Sequence, residues 1–442
     1  MRTQLYRSGA GLMPPELAGR DEELRGWRLA LNDARVVGRF AGGDRVWTGL
    51  RGVGKSVLLR RMADDAREHH FDVLALQADQ SSALVRAIQV SATTRADKGV
   101  GAWGRAAAAL GRITAVSAQG PVGLKAQVDF AGRARQDPDH IHPAAVAEVL
   151  ADLAGALRDH SGGGLVLMVD ELQMARPDDL RTLGGVLNHL NQHLDTAPIL
   201  FVGAGLPNLR DRMVGPDADH PLITNPERLF RFHHLPAHLD PDAARDALVK
   251  PALRIGSGWE PEAVKLVLTR TMRYPAHLQA YADLAWQRGT GNDPVTGTDV
   301  ADATGDAELF VAEQYLAPRW NRLSDRQREY LTALAVCDGR ATSGEVAATL
   351  GRRVGEVSSF REALMTRGEI FDPAYGIVQL TMPSMREFAL RHYPTARPRA
   401  EVELVAPRVM LANRENWLAA RPDREAEVEG FPPELLQRPG QG

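Results

Sequence analysis

The apolar positions of this chain fall into two alternating kinds of segment. Residues 45–48, 73–76, 165–169 and 198–202 are short runs with few polar positions, and a weaker run at 229–233 joins them. Each has the length of a strand buried on both faces. Residues 57–68 instead place Leu58, Leu59, Met62 and Ala66 on one face of a helix. Buried strands alternating with such helices predict a parallel α/β sheet covered on both sides, with its ligand at the strands' carboxyl ends. From residue 240 the pattern turns helical, over 240–254, 260–272 and 275–288, with Pro241 and Pro261 near helix starts. Residues 289–305, rich in Gly, Asp and Thr, read as a linker. A further unit spans 324–392: a helix N-capped by Ser324, helices over 343–350 and 354–366 around a turn at Gly351, and a hairpin over 370–381. That order is the order of a winged helix-turn-helix. Beyond His392 only residues 401–411 carry a pattern.

Two stretches stand out from this alternation. The first run leads directly into residues 49–56, Gly-Leu-Arg-Gly-Val-Gly-Lys-Ser, a complete G-x-x-x-x-G-K-[ST] loop with a strand before it and a helix after it. Gly49, Gly52 and Gly54, with Val53 between them, let successive backbone N–H groups converge on phosphate. Lys55 reaches the β- and γ-phosphates, Ser56 ligates Mg²⁺, and Val57 continues into a helix whose N-terminus favours anions. The run at 165–169 ends in Asp170-Glu171, as expected of an acidic pair in which Asp170 holds Mg²⁺ and Glu171 polarises the attacking water. The expected ligand is therefore a nucleoside triphosphate, or its diphosphate product, with Mg²⁺.

Between Lys55 and Asp170 lie 114 residues, more than two strand–helix units need. The surplus, at 85–140, holds an Ala-rich helical stretch at 103–110 and then 113–130, which reads as a hairpin pivoting on residues 120–123. It is either an edge decoration or an insertion that touches a partner or DNA.

Composition narrows the setting. The net charge of −3 argues against a globally basic nucleic-acid binder. Five lysines against 48 arginines reflect a GC-rich coding sequence rather than arginine chemistry. The one cysteine, Cys337, sits in an apolar helical run and excludes an internal disulfide, which favours the cytoplasm. No apolar stretch has the length of a membrane span, and the first fifteen residues lack the apolar core of a signal peptide. His189 and His193 are four apart on one helix but lack the Glu of a zincin motif, so a solvated helix face is expected there.

With these elements placed, residues 16–392 resemble a AAA+-type ATPase of the STAND and origin-initiator kind: a P-loop core, a helical lid and a C-terminal winged helix. The matching residues are Leu17-Ala-Gly-Arg-Asp-Glu-Glu-Leu24, the phosphate loop, Asp170-Glu171-Leu172-Gln173, Gly203-Ala-Gly-Leu-Pro207, Glu227-Arg-Leu-Phe230 and Tyr274-Pro275. The resemblance implies five parts: residues 1–40 with the adenine-side motif, a core at 41–235, a lid at 236–310, a winged helix at 311–395 and a tail at 396–442. It also implies Gly19 and Arg20 beside the base. Arg228 takes the position of an arginine finger for a neighbouring subunit, or is an ordinary ion-pair arginine, with Arg231 its competitor. Arg273 is a second sensor or the cap of the preceding helix. At the end of the fourth strand, where such proteins carry a polar sensor, this chain has Gly203-Ala204-Gly205, and Asn208 reaches the site only if its loop folds back.

The functional expectation is an ATP-binding, slowly hydrolysing nucleotide-gated switch. Two alternatives remain open: an ATP-controlled DNA-binding initiator or target selector, and a non-hydrolysing scaffold whose output is a protein contact or a homo-oligomer. The candidate DNA contacts are Arg352, Arg353, Ser358 and Arg361. Residues 321–392 carry ten arginines against nine carboxylates, so one basic face is at most begun there.

Overall fold

The computed structural model describes residues 2–9, 11–37, 44–96, 101–118, 142–215, 221–393 and 407–420. The chain divides into two compact units, one of Gly11–Gly49 and Val53–Pro251, the other of Met1–Ala10, Leu50–Gly52 and Ala252–Gly442.

The first unit is the sheet. It runs α1 (Asp21–Val37), β1 (Asp44–Thr48), α2 (Lys55–Glu68), β2 (Asp72–Gln77), α3 (Leu84–Ala96), α4 (Gly101–Ala118), α5 (Pro143–Ser161), β3 (Leu165–Asp170), α6 (Pro177–His193), β4 (Ile199–Gly205), α7 (Leu209–Val214), α8 (Pro226–Leu229) and β5 (Phe230–His234). The strands are all parallel in the order β2-β3-β4-β1-β5. Val46, Leu74, Leu167, Phe201 and Phe230 of the sheet share one apolar core with Leu150 and Leu157 of α5 and Leu183, Leu187 and Leu190 of α6. On α1, Trp27 donates to the Met62 carbonyl at 2.8 Å, and Arg28 makes a two-pronged pair with the buried Asp65 at 2.9 and 3.2 Å. Arg61 holds the same carboxylate at 2.9 Å, so α1 is locked to the helix that follows the phosphate loop.

In the other unit, α9 (Pro241–Arg254), which begins in the first, is followed by α10 (Pro261–Thr271), α11 (Pro275–Arg288) and α12 (Gly297–Val311). After a π-helical turn come α13 (Ala317–Asn321), α14 (Asp325–Val336), β6 (Arg340–Thr342), α15 (Ser343–Thr349), α16 (Val354–Thr366), β7 (Ile370–Ala374), β8 (Ile377–Leu380), α17 (Met385–His392) and α18 (Pro407–Ala419). β6, β8 and β7 form an antiparallel sheet in that order. The amino-terminal residues belong to this unit: Tyr6 accepts a 2.6 Å hydrogen bond from Trp259 Nε1 and meets the rings of Trp259 and Trp286 edge-on at 5.7 Å. Among the described residues no helix is long and apolar enough to cross a membrane.

Four expectations need correction. Residues 113–118 are the end of α4, not a hairpin arm, and residues 119–130 lie outside the described residues. Apolar residues at 113 and 116 satisfy helical spacing as well as rough alternation, and Leu110 already sets the buried face. The supposed linker at 289–305 contains most of α12, which starts at a capping box between Thr296 and Asp299 and buries Val300, Ala303, Ala307 and Val311. Of the patterned tail at 401–411, residues 407–411 belong to α18, which runs on to Ala419, and residues 401–406 lie outside the described residues. Asn413 of α18 donates to the Thr349 carbonyl and Arg414 pairs with the buried Glu345 at 2.9 Å. Finally, β4 does not stop at residue 202 but continues through Gly205.

Asp44 opens β1 at the end of the sheet away from the phosphate loop. It is buried, accepts from the Phe201 backbone amide, and leaves Oδ2 without a partner. Burial pushes its carboxyl well above the ordinary range, against the weaker pull of that hydrogen bond and Arg45. A carboxyl raised on folding costs stability once pH climbs past its unfolded value, and the cost is complete above its folded value. Asp44→Asn is therefore expected to stabilise the protein by about 1–2 kcal/mol at neutral pH, with the gain fading below roughly pH 4. Urea unfolding at both pH values checks this; an equal gain at both would remove the charge as its cause.

Candidate functional site

The site follows from strand order. β4 pairs with β1 on one side and β3 on the other, with Thr48 opposite Gly205 and Val169 opposite Gly203. The phosphate loop after β1 and the acidic pair at the end of β3 thus stand two strands apart, roughly 10 Å at the usual strand spacing. That separation suits the phosphate tail of a nucleotide.

In the loop, Gly52 and Gly54 adopt φ of +81° and +95°, left-handed values that the turn into α2 requires and that glycine takes without strain. Lys55 is buried, and its ammonium donates to the Gly49 carbonyl at 2.9 Å. Ser56 is exposed at the start of α2 and hydrogen-bonds Asp170 across the gap; Val57 behind it is half-buried. Burial raises the Asp170 carboxyl above its ordinary value and the nearby Glu171 charge adds to this, while the Ser56 hydroxyl, the Glu171 amide and Lys55 act the other way. A hydroxyl bonded to a desolvated carboxylate is a fitting oxygen donor set for Mg²⁺, whose charge would compensate what burial costs.

Glu171 takes a left-handed φ of +54°, and its amide donates to Asp170 Oδ1 at 2.8 Å. It heads a single 3₁₀ turn, Leu172–Met174, whose Gln173 is buried. Gln173 Nε2 donates to Glu171 Oε2, and its Oε1 accepts from the Leu206 amide at 3.0 Å. Gln173 belongs to the matched motif, yet nothing in the sequence alone gives it a task. Asn208, just beyond, is buried with Oδ1 unpartnered.

On the adenine side, Gly19 lies immediately before α1, and the buried Arg20 donates to the carbonyls of Gly19 at 3.0 Å and Val53 at 3.2 Å. Its guanidinium is engaged in tying this motif to the phosphate loop. Arg228 stands exposed on the one-turn α8 and makes no hydrogen bond or ion pair with any described residue through its side chain. Arg231 lies opposite Arg45 in the β5–β1 register.

In the other unit, the loop residue Arg51 bonds three ways. Its carbonyl accepts from the buried Tyr274 hydroxyl, and its guanidinium donates to the carbonyls of Gly368 at 3.2 Å and Arg367 at 3.1 Å. Arg273 follows Met272 in a second left-handed conformation at the end of α10; its side chain does not cap the helix, and its Nε is buried without a partner. The candidate DNA contacts are partly occupied. Arg361 pairs with Asp372, Arg352 lies 3.8 Å from the buried Glu329, and the Ser358 hydroxyl donates to the Gly355 carbonyl. Arg353 is exposed at the start of α16.

Residues 16–202 match the AAA ATPase domain model, and residues 313–389 match a domain of unknown function. The fold is that of a P-loop AAA+-type ATPase. Among solved structures, the chain is similar to the Walker-type ATPase PABY2304 of Pyrococcus abyssi, with a TM-score of 0.53 at 15% identity over 88% of this chain and 98% of that one. It is also similar to the ORC2 protein of Aeropyrum pernix, whose structure is of its ADPNP and ADP complexes, with a TM-score of 0.50 at 14% identity over 94% and 99% of the two chains. At these identities the likeness is one of fold. No curated protein matches the chain by sequence. The AAA-type domain supports ATP binding and ATPase activity in general, and the domain family uses nucleotide with Mg²⁺.

A residue kept for a ligand rather than for the fold leaves a signature. Asp170→Asn removes a charge that is costly to bury, so the nucleotide-free protein should melt no lower than the parent. ATP affinity in Mg²⁺ should fall to its value in EDTA. A lower melting temperature together with intact Mg²⁺ dependence would make Asp170 structural.

Proposed function

We propose that the protein is a nucleotide-gated switch of the STAND and origin-initiator type, which binds Mg–ATP, hydrolyses it slowly, and couples the bound state to its carboxyl-terminal unit. The observation that carries this reading is Arg51. It is a residue of the phosphate loop whose carbonyl and guanidinium are held by Tyr274, Arg367 and Gly368, at the start of α11 and the end of α16. A loop that reorders around phosphate changes hydrogen bonds made at both places. Slow chemistry is supported by the end of β4, where Gly203 and Gly205 offer no side chain to orient water.

In this reading Ser56 and Asp170 hold Mg²⁺, Lys55 leaves the Gly49 carbonyl for the β- and γ-phosphates, and Glu171 takes the proton of the attacking water. Gly19, Arg20, Val53 and Val57 shape the loop and its adenine side. Residues 311–395 act as a winged helix that packs rather than reads sequence. Duplex DNA is left out of the proposal because Arg361 faces Asp372 and Arg352 faces Glu329. Lys55→Ala should lose ATP binding, whereas Glu171→Gln should retain ATP and release phosphate about 100-fold more slowly or worse. Equilibrium binding and single-turnover decay of bound ATP distinguish them; undiminished affinity in Lys55→Ala overturns the reading.

Arg228 is proposed as a finger acting on a second copy of the chain, on the ground that its guanidinium is exposed and unpaired among the described residues. Such a charge stabilises the transferring phosphoryl group and is worth orders of magnitude in rate. Turnover per subunit should then rise with protein concentration. Mixing Arg228→Ala with Lys55→Ala subunits should give more turnover than either alone, since each supplies what the other lacks. Turnover independent of concentration, with no rescue on mixing, overturns the arrangement in trans.

A further inference from the structure

We infer that Gln173 positions the catalytic base, replacing from the β3 side the polar residue that the end of β4 lacks. The inference rests on the ATPase reading of the site and names a residue that reading does not use. Gln173 is buried at 2% exposure, with both ends of its amide engaged. Nε2 donates to Glu171 Oε2, and Oε1 accepts from the Leu206 backbone amide at 3.0 Å, directly past the end of β4. The carboxylate of Glu171 is thereby fixed to the strand that lies between the phosphate loop and the acidic pair.

Two features show that the surroundings are arranged for this bridge. A Cβ on Gly205 would lie 2.9 Å from Gln173 Oε1 and 2.7 Å from Leu209 Cδ2, so a side chain there would displace the amide. Glu171 takes the left-handed conformation, uncommon for a non-glycine residue, and from it the side chain meets the amide two residues on. A carboxylate needs one oxygen to receive a proton from water. With Oε2 held by Gln173, Oε1 remains for that task in a fixed direction, and general-base efficiency depends on such alignment. The glycines of β4 and Gln173 are thus two halves of one arrangement: the strand gives up its side chain, and the 3₁₀ turn supplies the amide.

The test uses the full chain with Gln173→Leu and Gln173→Glu. Gln173→Glu keeps an acceptor for Leu206 but cannot donate to Glu171. Both should bind ATP with parental affinity and, in single-turnover decay of bound ATP, lose about 10- to 100-fold in rate. Hydrogen exchange at the Leu206 amide should quicken in Gln173→Leu and stay slow in Gln173→Glu. In the Glu171→Gln background, Gln173→Leu should change the rate by no more than about twofold, since a residue that acts through the base has nothing left to act on. Parental decay rates in both single variants, a rate restored by Gln173→Glu, or an equal loss in both backgrounds would each overturn the inference. A parent that binds ATP and shows no decay at all instead overturns the ATPase reading beneath it.

Discussion

The candidate site depends on β4 arriving between β1 and β3 with glycine at its carboxyl end. A Cβ on Gly203 would stand 2.4 Å from Leu172 Cδ1, so the leucine of the turn that follows Asp170 occupies the space a side chain on β4 would take. In the same turn Glu171 takes its left-handed backbone and Gln173 reaches the Leu206 amide. In an ordinary strand, glycine weakens packing and costs backbone entropy. Here it leaves room for the Leu172 side chain of the neighbouring turn. The parallel order then does the rest, because both neighbours of β4 deliver their loops to the same edge.

The groups gathered there are poor contributors to the fold on their own. Asp170 is desolvated with the Ser56 hydroxyl and the Glu171 amide as its main compensation, and Lys55 is buried against a backbone carbonyl. Charges held this way stabilise little in the free protein and gain most when a phosphate and a cation arrive, which is the energetic profile of a binding site rather than of a structural ion pair. Asp65 makes the contrast within the same unit. It is as buried as any carboxylate among the described residues, but Arg28 and Arg61 hold it through three contacts, and it locks α1 to α2.

Much of this was legible in the sequence where chemistry dictates spacing. The phosphate loop and the acidic pair fall at their expected strand ends because phosphate and Mg²⁺ demand those residue types at fixed offsets. The helix over 354–366 agreed with the structure to the residue because Gly351 and the turn after it punctuate its start. What was misread had a local pattern with two solutions. Residues 113–118 fit alternation and helical spacing alike, and the Gly- and Asp-rich stretch before α12 hid a capping box whose four apolar positions lie on one face. The glycines of β4 read only as the lack of a polar sensor, since a sequence does not show which glycine serves a close approach. Gln173 and Tyr6 gave no signal because their partners, Leu206 and Trp259, are distant in sequence or on the backbone.

The carboxyl-terminal unit shows why counting arginines says little about its surface. Glu329 and Glu345 are each 1% exposed, and they draw in Arg326, Arg352 and Arg414 at 2.7, 3.8 and 2.9 Å. Arg361 and Arg386 go to Asp372 and Asp338, and the guanidiniums of Arg328 and Arg367 donate to backbone carbonyls. An arginine committed to a buried carboxylate or a carbonyl cannot also neutralise a DNA phosphate without leaving a buried group unpaired, which costs more than the new contact returns. These seven arginines are therefore engaged within the unit. At the end of α16, the phosphate-loop residue Arg51 makes two of its hydrogen bonds.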